Sequence, residues 1–208
     1  MKRRILHMDS DIPSIYLPVG DISAGGTCEF STDRCKENCP SGMLVSKHEK
    51  YALDFFKTED VMTIVTKIKE DFDYIVNRPC NDTKMIQWFA WGDCLSILTD
   101  KVATVILSIR NLGIPQYGFT RNHHLWEIVP IEDRLRIGLS VDNLKKALDM
   151  STEKMIAHSD FKHGYAEMIF KGKIRSRCNG WQCMTELENR ISDCNRCLIH
   201  GEGCYFKD

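Results

Sequence analysis

The chain has 208 residues, 43% of them hydrophobic and 27% charged, the balance of a globular chain long enough for one α/β domain and a small appended module. A formal net charge of −1 argues against nucleic-acid binding driven by bulk electrostatics. No run approaches the roughly 18–20 apolar residues of a membrane span. Asp9, Asp11 and Pro13 break up the segment after the basic Lys2-Arg3-Arg4, leaving no signal-peptide stretch. A cytoplasmic protein with no membrane partner is expected.

In chain order, SIYLPV (14–19) reads as a short strand running into a loop with Gly20, Gly25 and Gly26. From about Tyr51 to Val76, apolar Val61, Ile64, Val65, Ile68, Phe72 and Ile75 recur at helical spacing. MIQWFAW (85–91) is almost continuously apolar and short, the pattern of a strand buried on both faces, and Gly92-Asp93 ends it. Leu98 to Leu112 predicts a second helix closed by Gly113. A strand at 116–119, a short helix at 122–129 and a strand at 135–141 come next. A helix capped by Asp142 or Asn143 and strands at 154–158 and 165–170 complete the pattern. Six strands mostly separated by helices predict parallel pairing through right-handed crossovers.

Several of these strands end in polar residues: Gly92-Asp93, Thr120-Arg121-Asn122, Ser140 with Asp142, and His158-Ser159-Asp160. In parallel α/β barrels the site is built from the residues just past the strands' C-terminal ends.

Ten cysteines dominate the chemistry, eight of them in two groups. Cys28, Cys35 and Cys39 form C-x6-C-x3-C directly after the first strand. Cys178, Cys183, Cys194, Cys197 and Cys204 lie near the C-terminus, with Cys178 a spare or an alternative to Cys183. In a reducing compartment such spacing points to metal ligation rather than disulfides. Zinc and iron–sulfur clusters both use thiolates, so spacing alone leaves the metal open at either site. Arg34 and Lys36 beside Cys35 favour its thiolate. The tail is too small for its own core, so metal binding is expected to fold it. Cys80 and Cys94 stand apart, and Cys94 reads as a buried, inert thiol.

The three-cysteine loop TCEFSTDRCKENC, the strand-plus-turn FAWGD, the strand YGFTRN and the cysteine-rich tail together resemble the radical S-adenosylmethionine (radical SAM) superfamily. Within it they are similar to the phage gene product eighty-eight family. The loop spacing departs from the superfamily's usual C-x3-C-x2-C. The resemblance implies a partial (β/α)6 barrel over 1–174 and a C-terminal cysteine-rich metal module over 175–208. It implies a 4Fe-4S cluster on Cys28, Cys35 and Cys39, with the fourth iron open to S-adenosylmethionine. It implies contacts to that cofactor from Gly92, Asp93, Thr120, Arg121, Asn122 and Ser140. The implied activity is reductive cleavage of S-adenosylmethionine to act on an unknown small molecule or peptide, with an external electron donor. A second cluster or a zinc would sit on Cys183, Cys194, Cys197 and Cys204, or on Cys178. The competing expectation is a non-catalytic, metal-stabilised binding protein of the phage type.

Overall fold

The structure is a computed structural model that describes residues 3–9, 12–37, 39, 46–78, 84–130, 132, 135–151, 154, 156–160, 165–170, 173–179 and 182–183. The strands are β1 (Leu6–Asp9), β2 (Ile12–Tyr16), β3 (Ile86–Trp91), β4 (Gln116–Thr120), β5 (Leu135–Val141), β6 (Ile156–Asp160), β7 (Tyr165–Phe170), β8 (Lys173–Asn179) and β9 (Gln182–Cys183). The helices are α1 (Asp33–Glu37), α2 (Lys47–Thr58), α3 (Val61–Val76), α4 (Thr99–Asn111), α5 (His123–Ile128) and α6 (Leu144–Met150). All nine described strands join one mixed sheet in sequence order. β2 through β6 run parallel, whereas β1, β7, β8 and β9 pair antiparallel with their neighbours.

The chain is therefore α/β, with helices joining the parallel strands as expected. The sixth expected strand differs: β7 returns antiparallel to β6. Only residues 161–164 separate the two, and a parallel return needs a crossover of a dozen or more residues. β8 then runs across residues 174–175, where the two-part division was expected.

The long helix expected over 51–76 is two. Ser46 opens α2 with a capping box, accepting from the Glu49 amide at 3.3 Å while Glu49 Oε2 accepts from the Ser46 amide at 3.0 Å. Asp60 then interrupts the run: its backbone is extended and its carboxylate accepts from the Thr63 amide at 3.0 Å, capping α3. Ala52, Leu53 and Phe56 of α2 and Ile64, Val65, Ile68, Phe72 and Ile75 of α3 bury their faces in one core with Ile86, Trp88, Ile106, Leu135 and Ile137. Buried Asp71 of α3 accepts from the Ile5 amide (2.7 Å) and from Lys67 Nζ (2.6 Å), tying the N-terminal strand to that helix. α4 is capped by Leu112 and followed by Gly113 at φ +76°, the left-handed position expected for a helix stop. Asn143, rather than Asp142, caps α6.

Candidate functional site

The cysteine loop leaves β2 and closes tightly on itself. The Pro18 carbonyl accepts from both the Thr27 amide (2.8 Å) and the Thr27 hydroxyl (2.9 Å), and the Cys28 amide donates to the Gly20 carbonyl (3.0 Å). A Cβ at Gly26 would lie 2.1 Å from the Gly20 oxygen, so only glycine permits this crossing. The closure sets the Gly20 amide 3.4 Å from Cys28 Sγ, where it stabilises negative charge on sulfur.

Three further ties hold the loop over the strand ends. Thr27 Oγ1 accepts from the Asp93 amide past β3 (3.0 Å). The Glu29 carboxylate takes the Ser96 amide (2.7 Å) and hydroxyl (2.8 Å). Thr32 donates to Asp142 past β5, and Asp142 also pairs with Arg121 past β4 at 2.5 Å. The Arg121 charge in turn favours the Cys35 thiolate. Arg121 is thus a cation acting on Cys35; of Arg34 and Lys36, expected in that role, Lys36 pairs with Asp21 at 2.7 Å.

β3 reaches the site through a bulge. Ser14 and Tyr16 of β2 stand opposite Gln87 and Trp91, so four steps of β3 match two of β2. Phe89 takes φ +52° within that stretch. Gly92 follows at φ +72°, where a Cβ would meet the Leu17 oxygen at 2.5 Å and Thr27 Oγ1 at 2.7 Å. Asp93 is then buried, accepting from the Thr120 hydroxyl (2.5 Å) and from the Arg121 and Cys94 amides (2.7 Å each). Burial pushes its carboxyl up to about 6 even against these hydrogen bonds.

Cys28, Cys35, Gly92, Asp93, Thr120, Arg121 and Ser140 line one cavity of about 160 Å³, together with Ser31 and Phe119. Burial raises the thiols of Cys28 and Cys35; the Gly20 amide opposes this at Cys28 and Arg121 opposes it at Cys35. Partial desolvation works against ionisation of Asp142, but hydrogen bonds from Arg121 and Thr32 hold its carboxyl below the usual range. Cys39 stands outside the cavity lining, its amide donating to the Lys36 carbonyl at 3.4 Å. It is near enough to act electrostatically on both other thiols.

Asn122 does not join the site. It caps α5 by accepting from the Leu125 amide (3.0 Å), and its amide nitrogen donates to the Cys94 carbonyl (3.1 Å) and Thr99 Oγ1 (2.7 Å). Cys94 is fully buried and also stays out, its thiol raised by burial. Trp88 is core, as expected, donating from its indole to buried Gln116 at 2.8 Å. Thr27, Glu29 and Thr32, which organise the loop, were not legible as site residues, although all three flank the cysteines in sequence.

Cys178 and Cys183 are described as opposed backbone positions of β8 and β9. Cys80, Cys194, Cys197 and Cys204 lie outside the described residues.

Cys28, Cys35 and Cys39 are free thiols, a soft donor set suited to iron–sulfur or zinc and not to magnesium or calcium. Among the described residues no three His, Cys, Asp or Glu side chains are already gathered as a ligand set, so ligation requires the thiols to draw together. The cavity is also smaller than the roughly 300–1,000 Å³ of pockets that enclose drug-sized ligands; a guest as large as a nucleoside extends beyond it. Among the described residues no helix is long and apolar enough to cross a membrane. Comparison with known proteins gives no matching family model, no matching curated relative and no matching solved structure.

Proposed function

We propose that this chain is an iron–sulfur enzyme of the radical SAM type, with a 4Fe-4S cluster held by Cys28, Cys35 and Cys39. The observation that carries the reading is the convergence of Cys28 and Cys35 with Asp93, Arg121 and Ser140 on one cavity at the ends of the parallel strands. Its finer architecture is a partial (β/α)6-type barrel with a cysteine-rich module from residue 175. The sequential order of the five parallel strands supports it, because doubly wound sheets reverse their order instead. The antiparallel β7 limits the parallel wall to those five.

When bound, the cluster would supply the electron that cleaves S-adenosylmethionine. The chain's own groups supply the rest. The loop ties fix Cys28 and Cys35 beside the strand ends. Asp93, held by three donors, presents a carboxylate for an ammonium group. Arg121 presents a guanidinium for a carboxylate once it shares or leaves Asp142. Gly92 lets Leu17 and Thr27 pack closely against the end of β3, where a Cβ would meet the Leu17 oxygen at 2.5 Å. In the tail, Cys183, Cys194, Cys197 and Cys204, with Cys178, would hold a second cluster or a zinc.

The test is anaerobic reconstitution with iron and sulfide, followed by metal and sulfide quantitation and assay for 5′-deoxyadenosine under reduction. Wild type should carry about four more irons than the Cys28→Ala/Cys35→Ala/Cys39→Ala variant. Zinc alone, at equal stoichiometry in both proteins, refutes the reading and favours a metal-stabilised binding protein.

A further inference from the structure

One cross-strand row on the sheet is polar across four strands. Ser14 of β2 stands opposite Gln87 of β3, Gln87 opposite Tyr117 of β4, and Tyr117 opposite Arg136 of β5. The rows on either side, Ile86–Gln116–Leu135 and Trp88–Gly118–Ile137, face the helices. Ile86, Trp88, Leu135 and Ile137 lie in the core with residues of α3 and α4, and Gln116 donates to the Ile106 carbonyl of α4 at 3.0 Å. Successive side chains of a strand alternate between faces, so the polar row lies on the face turned away from those helices.

Arg136 is the unusual member. It is half-buried, yet no described hydrogen bond or ion pair engages its guanidinium. A partly desolvated guanidinium without an anion is unfavourable unless a ligand completes it. On this face of β5, Gly138, opposite Phe119, and then Ser140 lead from Arg136 towards the cysteine cavity. Phe119 and Ser140 both line the cavity. At about 3.3 Å per residue, Arg136 lies about 13 Å along the strand from Ser140.

We propose that Arg136 anchors a substrate subsite on this helix-free face, binding the terminal oxyanion, carboxylate or phosphate, of a small elongated molecule whose other end reaches the cysteine rim. Gly138 places no side chain between Arg136 and the rim, Phe119 offers a ring for stacking, and Tyr117 and Gln87 share the cross-strand row with Arg136. The assignment of this molecule as a substrate rests on the proposed activity at the rim; the anion site itself does not.

The test is an NMR titration of the isotope-labelled full chain, before and after anaerobic reconstitution, following the Arg136 Nε–Hε resonance and the backbone amides of Tyr117 and Gly138, which also report in the Arg136 variants. The probes are benzoate and phenyl phosphate, with benzyl alcohol as the neutral control. The expected result is a saturable shift with at least one anion and none with benzyl alcohol. Affinity should fall at least tenfold in Arg136→Gln and be partly kept in Arg136→Lys, and the tighter anion identifies the oxyanion. An unmoved Arg136 resonance with both anions, or equal affinity in Arg136→Gln, overturns the subsite. Loss of cluster binding with intact Arg136-dependent anion binding sinks the iron–sulfur reading and leaves the subsite standing; the reverse pattern does the opposite.

Discussion

Thr27 joins the cysteine loop to β3, and Thr27→Val isolates the value of its hydroxyl at nearly constant volume. The hydroxyl donates to the Pro18 carbonyl and accepts from the Asp93 amide, and the residue is fully buried. Pro18 keeps a second donor, the Thr27 amide, so its carbonyl stays satisfied. The Asp93 amide loses its acceptor inside the protein, at about 1–3 kcal/mol, and the bond to Pro18 is worth about 1 kcal/mol more. Thr27→Val should therefore cost about 2–4 kcal/mol. Thr27→Ser keeps both hydrogen bonds and deletes one buried methyl, at about 1 kcal/mol. Urea denaturation of both variants at unchanged m-value measures the difference. Loosening the loop by about 2 kcal/mol should also speed native-state alkylation of Cys28, read by peptide mass spectrometry, about 30-fold. A Thr27→Val cost within about 0.5 kcal/mol of zero, or a Thr27→Ser cost exceeding it, refutes the reasoning.

Gly92→Ala should be much worse than Gly113→Ala. Both positions have φ near +75°, at about 1–2 kcal/mol for a non-glycine residue. Only Gly92 adds a contact with the backbone of Leu17, whereas a Cβ at Gly113 meets nothing within 4 Å; comparative thermal denaturation tests the ordering. Asp93, raised by burial to about 6, binds its proton more tightly folded than unfolded. Its contribution is full below about pH 4 and lost as pH rises through about 6, so wild type should lose about 3 kcal/mol relative to Asp93→Asn across that window. Denaturation series at several pH values check this, and a pH-independent difference would contradict it. Asp142 raises and Arg121 lowers the Cys35 thiol, so Asp142→Asn should shift the pH–rate profile of Cys35 alkylation down and Arg121→Gln should shift it up. Shifts in the same direction would show that the two residues do not act through charge.

How much was legible in the sequence depended on range. Caps and stops are local, so Gly113 and, as one of two candidates, Asn143 could be read from the residues around them. The break at Asp60 is hidden because helix-forming residues lie on both sides and only its extended backbone divides α2 from α3. β1 is hidden because His7 and Asp9 dilute a four-residue edge strand. The rim residues Gly92, Asp93, Thr120, Arg121 and Ser140 followed from one topological rule about strand ends. That rule overreached at Asn122, whose side chain is consumed by the α5 cap. The loop ties were invisible because Thr27 bonds across 66 residues, Glu29 across 67 and Thr32 across 110.

Charge separates the two ends of this face. Around the cavity stand two thiols and Asp93, with Arg121 the lining cation and already paired with Asp142. Burial opposes ionisation of Cys28, Cys35 and Asp93, and neighbouring negative charge adds to it at both thiols. A cationic guest relieves all three at once, whether a metal centre at the thiols or an ammonium group at Asp93. An anion facing the thiols and Asp93 would add repulsion, so a carboxylate is accommodated there only at Arg121. At Arg136 the balance is reversed, because a guanidinium with no described anion gains from one. A molecule with its anionic end at Arg136 and its reactive end at the cysteines therefore meets the electrostatically preferred partner at each end, and the opposite orientation meets neither.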